Sequence, residues 1–304
     1  MNRRTFVKSS LAASAALAGP AALSASIPSS EAEEPFKMKF ATHLGMFKEH
    51  TGGDPVLHLE FIHDKGFRAF EDNGMKDREE GVQRKMGKLM EQLGIEMGVF
   101  VAHKIYWNEP NLANGDKNLR EEFLYHINES VEVAKRVNAR WMTVVPGHVD
   151  PRQDVGYQTA HVVESLKQAS AILEPHGLAM VLEPLNFRDH PGLFLAKAAQ
   201  AYQICRAVDS PACKILFDIY HQQISEGNLI PNIEKAWEEI AYFQIGDNPG
   251  RKEPTTGEVN YKNVFRFIHD KGYEGILGME HGNSKPGKEG EMAVIRAYRE
   301  VDVG

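Results

Sequence analysis

Eight short runs of apolar, β-branched or aromatic residues recur along the chain beyond its N-terminal stretch. They are Lys39–Phe47, Phe67–Asn73, Glu96–His103, Arg140–Pro146, Leu178–Leu185, Lys214–Tyr220, Ala241–Gly246 and Gly275–Glu280. Most are hydrophobic throughout rather than alternating, the pattern of parallel strands buried on both faces. Between them lie amphipathic stretches. Val82, Met86, Leu89, Met90 and Leu93 share one helical face, as do Leu119, Phe123, Ile127, Val131, Ala134 and Val137. Strand and helix alternate from end to end, which predicts a parallel sheet with helical crossovers.

Glycines punctuate the pattern. Gly66, Gly94, Gly177 and Gly272 each follow a helical stretch and stand one or two residues before a strand, where a left-handed residue ends a helix. Two junctions nearly repeat, Phe61-Ile62-His63-Asp64-Lys65-Gly66-Phe67 and Phe267-Ile268-His269-Asp270-Lys271-Gly272-Tyr273. They occupy equivalent places in the first and last units. Eight strand–helix units predict one (β/α)8 TIM barrel over residues 37–304, close to the usual ~250-residue size of that fold. An open doubly wound sheet would carry a glycine-rich phosphate turn after its first strand. Gly45, Gly52 and Gly53 do not make that spacing.

The start of the chain reads as an address. Arg3 and Arg4 open a basic segment with Lys8, an uncharged run follows from Leu11 to Ala25, and small residues surround Ala22, Ser24 and Ser26. This is the layout of a twin-arginine signal over residues 1–26. The run is too short and too mild to span a bilayer, so no stable membrane span is expected after processing. Residues 27–36, with Pro28 and Pro35 and three glutamates, read as a linker. Twin-arginine export carries folded proteins, which suits an enzyme loaded with its cofactor, and the expected destination is the periplasm.

Charge narrows the partners. Of 304 residues, 35 are Lys or Arg against 42 Asp or Glu, a formal net charge of −7, which leaves no basic footprint for nucleic acid. Cys205 and Cys213 are too few for a disulfide framework and read as packed thiols. A small-molecule substrate is the expected partner, and a homo-oligomer is compatible with the sequence.

In a barrel of this kind the active site lies at the carboxyl ends of the strands. The fifth run presents Glu183 there, the sixth Asp218 with His221 three residues on, the seventh Gln244 with Asp247 and Arg251, and the eighth Glu280. One acidic residue at a strand end is ordinarily a helix cap or a surface ion pair. Four polar residues at equal depth on four consecutive strands point to function. Burying three carboxylates together is costly unless a cation compensates. Glu183, Asp218, Gln244 and Glu280 form a hard oxygen set that suits one divalent metal ion, Mg²⁺ or Mn²⁺ before Zn²⁺.

The segments Leu182-Glu183-Pro184-Leu185-Asn186, Phe217-Asp218-Ile219-Tyr220-His221-Gln222-Gln223 and Gln244-Ile245-Gly246-Asp247-Asn248-Pro249-Gly250-Arg251, with Thr256-Gly257-Glu258-Val259-Asn260-Tyr261, resemble the hydroxypyruvate isomerase family. That family belongs to the xylose-isomerase-like barrel superfamily, and the resemblance runs through the whole of residues 37–304. It implies a divalent metal on Glu183, Asp218, Gln244 and Glu280, with Glu183 and Glu280 as the acid–base pair and His221 near a substrate oxygen. The implied reaction converts hydroxypyruvate to tartronate semialdehyde through a cis-enediolate. Arg251 is placed to bind a substrate carboxylate or is a solvated loop residue. Glu71, closing the second run, binds substrate through water, positions a ligand, or pairs with a lysine such as Lys104. His43 and His103 end the first and third runs at the mouth and match no family role.

Three other readings keep part of this logic. A sugar 3-epimerase or ketose isomerase of the same superfamily would use the same metal set in a larger pocket, although the epimerase branch usually has histidine where Gln244 stands. A non-catalytic exported sugar-binding barrel would keep the fold without turnover. A DNA-repair endonuclease would need more histidine ligands and a basic face for phosphates, and the acidic balance argues against it.

Overall fold

The computed structural model describes residues 33–304; residues 1–26, where a twin-arginine signal is expected, and residues 27–32 of the expected linker lie outside the described residues. Eight strands follow in order, β1 (Lys39–His43), β2 (Ala69–Glu71), β3 (Glu96–Met97), β4 (Trp141–Val144), β5 (Ala179–Leu182), β6 (Cys213–Asp218), β7 (Ile240–Gln244) and β8 (Ile276–Gly278). The helices between them are α1 (Lys48–Thr51), α2 (Pro55–Asp64), α3 (Glu80–Leu93), α4 (Lys117–Val137), α5 (Val155–Leu173), α6 (Ala198–Val208), α7 (Ile219–Ser225), α8 (Leu229–Ala236), α9 (Tyr261–Asp270) and α10 (Gly287–Val301). All strand pairs are parallel, in the order β3-β2-β1-β8-β7-β6-β5-β4. The ends of that order meet through one parallel bridge between Val101 and Thr143. The architecture is the expected α/β barrel.

Each predicted run overlaps one strand, and all eight run on past the observed carboxyl end. The third differs most. β3 is two residues long; at Gly98, next to it, a Cβ would overlap the Tyr242 hydroxyl. The residues beyond bond to both neighbours, Val99 accepting from the Asp72 amide at 3.2 Å and Phe100 from the Thr143 amide at 2.8 Å. The repeated Asp-Lys-Gly junctions end α2 and α9 alike: the Lys65 and Lys271 amides donate back to the Phe61 and Phe267 carbonyls, and Gly66 and Gly272 follow at φ 88 and 80. Glu33 and Phe36, placed in the linker by the sequence, lie against this same corner. Their amides donate to the Asp64 and Gly66 carbonyls at 2.8 and 3.0 Å.

The inner face of the barrel explains where chemistry can sit. Ala41, Ala69, Val99, Val181, Leu216, Tyr242 and Ile276 form one buried cluster separate from the larger core under the helices. Side chains of a strand alternate faces, so two residues further on the next inward positions are His43, Glu71, Glu183, Asp218, Gln244 and Gly278. The apolar layer is a dry floor; the layer above it is almost wholly polar.

Candidate metal-binding active site

Two of these groups, Glu183 and Asp218, converge with His221 and Glu280. One ligand atom from each of Glu183, Asp218, His221 and Glu280 lies within 4.8 Å of the other three. Asp218 ends β6 and caps α7: its Oδ1 accepts from the Tyr220 amide at 2.7 Å and the His221 amide at 3.3 Å. That cap fixes the carboxylate and leaves Oδ2 to face the cluster. Strand β7 pairs Gln244 with Asp218 on one side and Gly278 on the other, so Gln244 enters the same layer.

Gln244 is buried, and its amide is divided between two tasks. Nε2 donates to Glu71 Oε1 at 3.4 Å, whereas Oε1 is buried with no protein partner. A buried carbonyl without a donor is costly, and a cation would satisfy it. Glu71 lies beneath the cluster with its other oxygen, Oε2, accepting from the Tyr242 hydroxyl at 2.9 Å. Its partners are therefore Tyr242 and Gln244. Lys104, the alternative partner weighed from sequence, instead donates to the Tyr106 hydroxyl at 3.0 Å.

Arg251 enters from the loop after β7. One guanidinium nitrogen lies 3.0 Å from Asp218 Oδ2 and 2.6 Å from Glu280 Oε2, and Nε donates to the Glu280 carbonyl at 3.0 Å. The loop is tied down by buried Asp247, which accepts from the amides of Asn248, Gly257 and Val259 at 2.8, 2.8 and 3.1 Å. The distinctive seventh-strand segment thus spells a loop anchored on Asp247 that delivers Arg251. Asn73, at the end of the second run, donates to Glu280 Oε1 at 3.0 Å.

Electrostatics follow from this crowding. Burial, then the negative charges of Glu280 and Asp218, raise Glu183 well above the ordinary carboxyl range. Burial and the charge of Asp218, opposed by Arg251, push Glu280 up to about 7. Burial first, and then the charge of Glu280, raise Glu71 as well. His221 is held down at about 4, chiefly by burial, and is neutral. Without a cation the carboxyls keep protons; with one they can ionise.

The donor set suits a small divalent ion. Around octahedral Mg²⁺ at about 2.0–2.1 Å, donor atoms stand about 3 to 4.2 Å apart, and oxygens of Glu183, Asp218 and Glu280 lie within 4.8 Å of one another. Glu183, Asp218 and Glu280 would supply carboxylate oxygens and Gln244 its unpartnered amide oxygen.

The cluster opens on a cleft of about 290 Å³ lined by His43, Glu71, Asp72, Asn73 and Glu280 among others. A larger cleft of about 480 Å³ lies across His43, between the loops after β1 and β8, and none of the four candidate donors lines it. His43 itself braces the mouth, its ring nitrogens 2.8 and 3.1 Å from the Leu44 and His281 carbonyls. His103 is buried, and its Nε2 accepts from the Val145 amide at 3.2 Å.

Sequence reasoning missed three contributors. Asn186 binds the His221 ring; its signal was its place in the Leu182–Asn186 segment. Gly278 makes room for Glu71, and a glycine inside a strand is itself a sign of close approach. Tyr242 carries no sequence signal, because its hydroxyl matters only through Glu71, 171 residues away.

Comparison with known proteins agrees with this architecture. The Xylose isomerase-like TIM barrel family matches residues 59–300. The chain is 32% identical over 161 residues to a hydroxypyruvate isomerase of Escherichia coli, covering 53% of this chain and 62% of that protein. It is 29% identical over 177 residues to a 2-oxo-tetronate isomerase of Cupriavidus necator, covering 58% and 68%. The matched stretch thus spans about three fifths of the first of these relatives. Among solved structures, a family 2 AP endonuclease of Brucella melitensis superposes with a TM-score of 0.75 at 24% identity, over 86% of this chain and 99% of that one; this likeness bears on the fold alone.

Proposed function

The chain belongs to the Xylose isomerase-like TIM barrel family, and from that premise we propose that it is an isomerase moving a proton between adjacent carbons of a small hydroxy-carbonyl substrate. Hydroxypyruvate to tartronate semialdehyde is the leading reaction. One observation carries the reading: Glu183 and Glu280, from strands on different sides of β6 and β7, meet in one cluster with their proton affinities raised.

An aldehyde–ketone interconversion needs a group that takes a proton beside a carbonyl and returns it to the neighbouring carbon. A carboxyl titrating near neutrality does both efficiently. Glu183 and Glu280 are placed to share that work, by one-base isomerisation or by two-base epimerisation. The enediolate formed on the way carries negative charge on oxygen. Arg251 and the His221 ring are the protein donors facing the cluster, and they stabilise that charge. Bound at Glu183, Asp218, Gln244 and Glu280, a divalent ion, Mg²⁺ or Mn²⁺ before Zn²⁺, would add Lewis acidity at the substrate oxygens. Export through the twin-arginine route belongs to the proposal and rests on Arg3, Arg4 and the run after them.

A second reading, a larger ketose handled by the same shuttle, is favoured by one feature of the mouth. Exposed Trp107 stacks on His190 with ring centroids 5.2 Å apart, and His190 in turn packs 5.5 Å from His221. This aromatic wall could cover a sugar face.

The test is incubation of hydroxypyruvate and of small ketoses with metal-loaded protein in deuterated water. Deuterium should enter the substrate, and Glu183→Gln or Glu280→Gln should reduce the rate by on the order of 10²–10⁴-fold without loss of fold. Full activity in both variants would exclude this assignment.

A further inference from the structure

We infer that Asn186 is a positioning residue that holds His221 in the Nε2–H tautomer, making it a hydrogen-bond donor to a substrate oxygen and barring it from the metal. The substrate half of this statement rests on the function proposed above; the tautomer half does not.

The argument begins with the Asn186 amide, whose two ends are identified by their partners. The backbone amides of Arg188 and Asp189 both donate to one terminal atom, at 3.0 and 2.9 Å. That atom is therefore the oxygen. The other end is the NH₂ group, which donates to Asp189 Oδ2 at 2.9 Å and to His221 Nδ1 at 2.7 Å. A second donor reaches the same ring nitrogen, the backbone amide of Asn186 at 3.2 Å. Two N–H groups aimed at Nδ1 require a lone pair there. In a neutral imidazole the proton then sits on Nε2.

Nε2 faces the cluster. It lies 3.5 Å from Asp218 Oδ2 and 3.8 Å from Glu183 Oε1, and it is fully buried without a hydrogen-bond partner. A buried donor with no acceptor is an unmet demand. The space it addresses is the one between the carboxylates, where a substrate oxygen would lie. Asp189 also accepts from the Tyr220 hydroxyl at 2.8 Å, which ties the loop after β5 to α7 and holds Asn186 against the ring.

Distance alone groups His221 with the three carboxylates as a fourth ligand. The tautomer forbids it: a ligating nitrogen must present a lone pair, and the lone pair of His221 points away, at Asn186. The metal is then left with oxygen donors alone, which favours hard ions over Zn²⁺ and Co²⁺. Reversing the tautomer would add a nitrogen ligand and shift that preference.

The experiment uses full-length, chelator-treated protein labelled with ¹⁵N at histidine, with the His221 signals assigned by their loss in His221→Gln. Long-range proton–nitrogen correlation should show His221 with bare Nδ1 and protonated Nε2, unchanged on adding Mg²⁺. In Asn186→Asp an acceptor replaces the donating NH₂, so the pattern should invert and the Zn²⁺ over Mg²⁺ binding ratio should rise at least about tenfold. Should the new carboxylate beside Asp189 unfold the chain, the double variant N186D/D189N removes that repulsion and carries the same expectation. A bare Nε2 in the wild-type spectrum, or loss of its proton when Mg²⁺ binds, would overturn the inference. The spectrum needs no turnover, so failure of the isomerase reading alone would leave the tautomer result standing.

Discussion

Gly278 leaves open on β8 the space that the Glu71 carboxylate fills; a Cβ built on Gly278 would overlap Glu71 Oε2. That vacancy lets Glu71 reach across the barrel to Tyr242 and Gln244, holding the Gln244 NH₂ and leaving its buried carbonyl without a protein partner. Gly278→Ala should expel Glu71. The expected cost is about 1–3 kcal/mol of stability from overpacking, measured by urea unfolding. A loss of about 10–100-fold in divalent-ion affinity should accompany it, the usual effect of removing a group that orients a ligand. Unchanged affinity would show that Glu71 does not orient Gln244.

The raised carboxyls set a pH dependence with a definite sign. Glu280 holds its proton up to about 7 in the folded protein, against 4.5 for the free group, and Glu183 shifts the same way. Between those values the folded state binds more protons than the unfolded one. The stability these two groups contribute to the metal-free protein is therefore full below the unfolded value and is lost as pH rises through about 7. Ion binding needs the carboxylates ionised, so affinity for Mg²⁺ should rise over the same interval with release of protons. Urea unfolding from about pH 5 to 8, with chelator and then with saturating Mg²⁺, checks both halves. In chelator, the same pH dependence in Glu280→Gln as in the wild type would refute the raised proton affinity of Glu280.

Asp247 offers a separable handle on Arg251. Its carboxylate gathers three backbone amides of the loop after β7 and touches neither Glu183 nor Glu280. Asp247→Ala leaves those amides, of which that of Val259 is buried, short of an acceptor, at a cost of about 1–3 kcal/mol. It should also free Arg251, lowering kcat by at least about tenfold while the metal stoichiometry holds. Retained kcat would mean that Arg251 is placed by its own contacts to Asp218 and Glu280.

The fold was legible because buried parallel strands are written as unbroken apolar runs, and all eight stood out. Their carboxyl ends were less legible. Glu183 and Glu280 stand just past the ends of β5 and β8, and the Glu183 amide still donates to the Val144 carbonyl at 3.3 Å, so a reading by composition carries the strand one or more residues too far. Strand β3 was the most overdrawn, since the residues after it keep backbone bonds to both neighbours outside the regular ladder. Acidic strand ends marked the cluster, since a carboxylate beside an apolar run is locally conspicuous. Tyr242 was silent, and Asn186 and Gly278 gave only faint signals, because each acts on a residue from another part of the barrel. His43 and His103, conspicuous at the mouth, are engaged with the backbone.

The proposal turns on whether Glu183, Asp218, Gln244 and Glu280 grip one cation together. Calorimetric titration of chelator-treated protein with Mn²⁺ tests this most directly. The account predicts uptake of a single ion per chain, weakened at least about tenfold in Asp218→Asn and in Gln244→Ala, with unaltered circular dichroism in both. No uptake by the wild type, or equal affinity in the two variants, would contradict it.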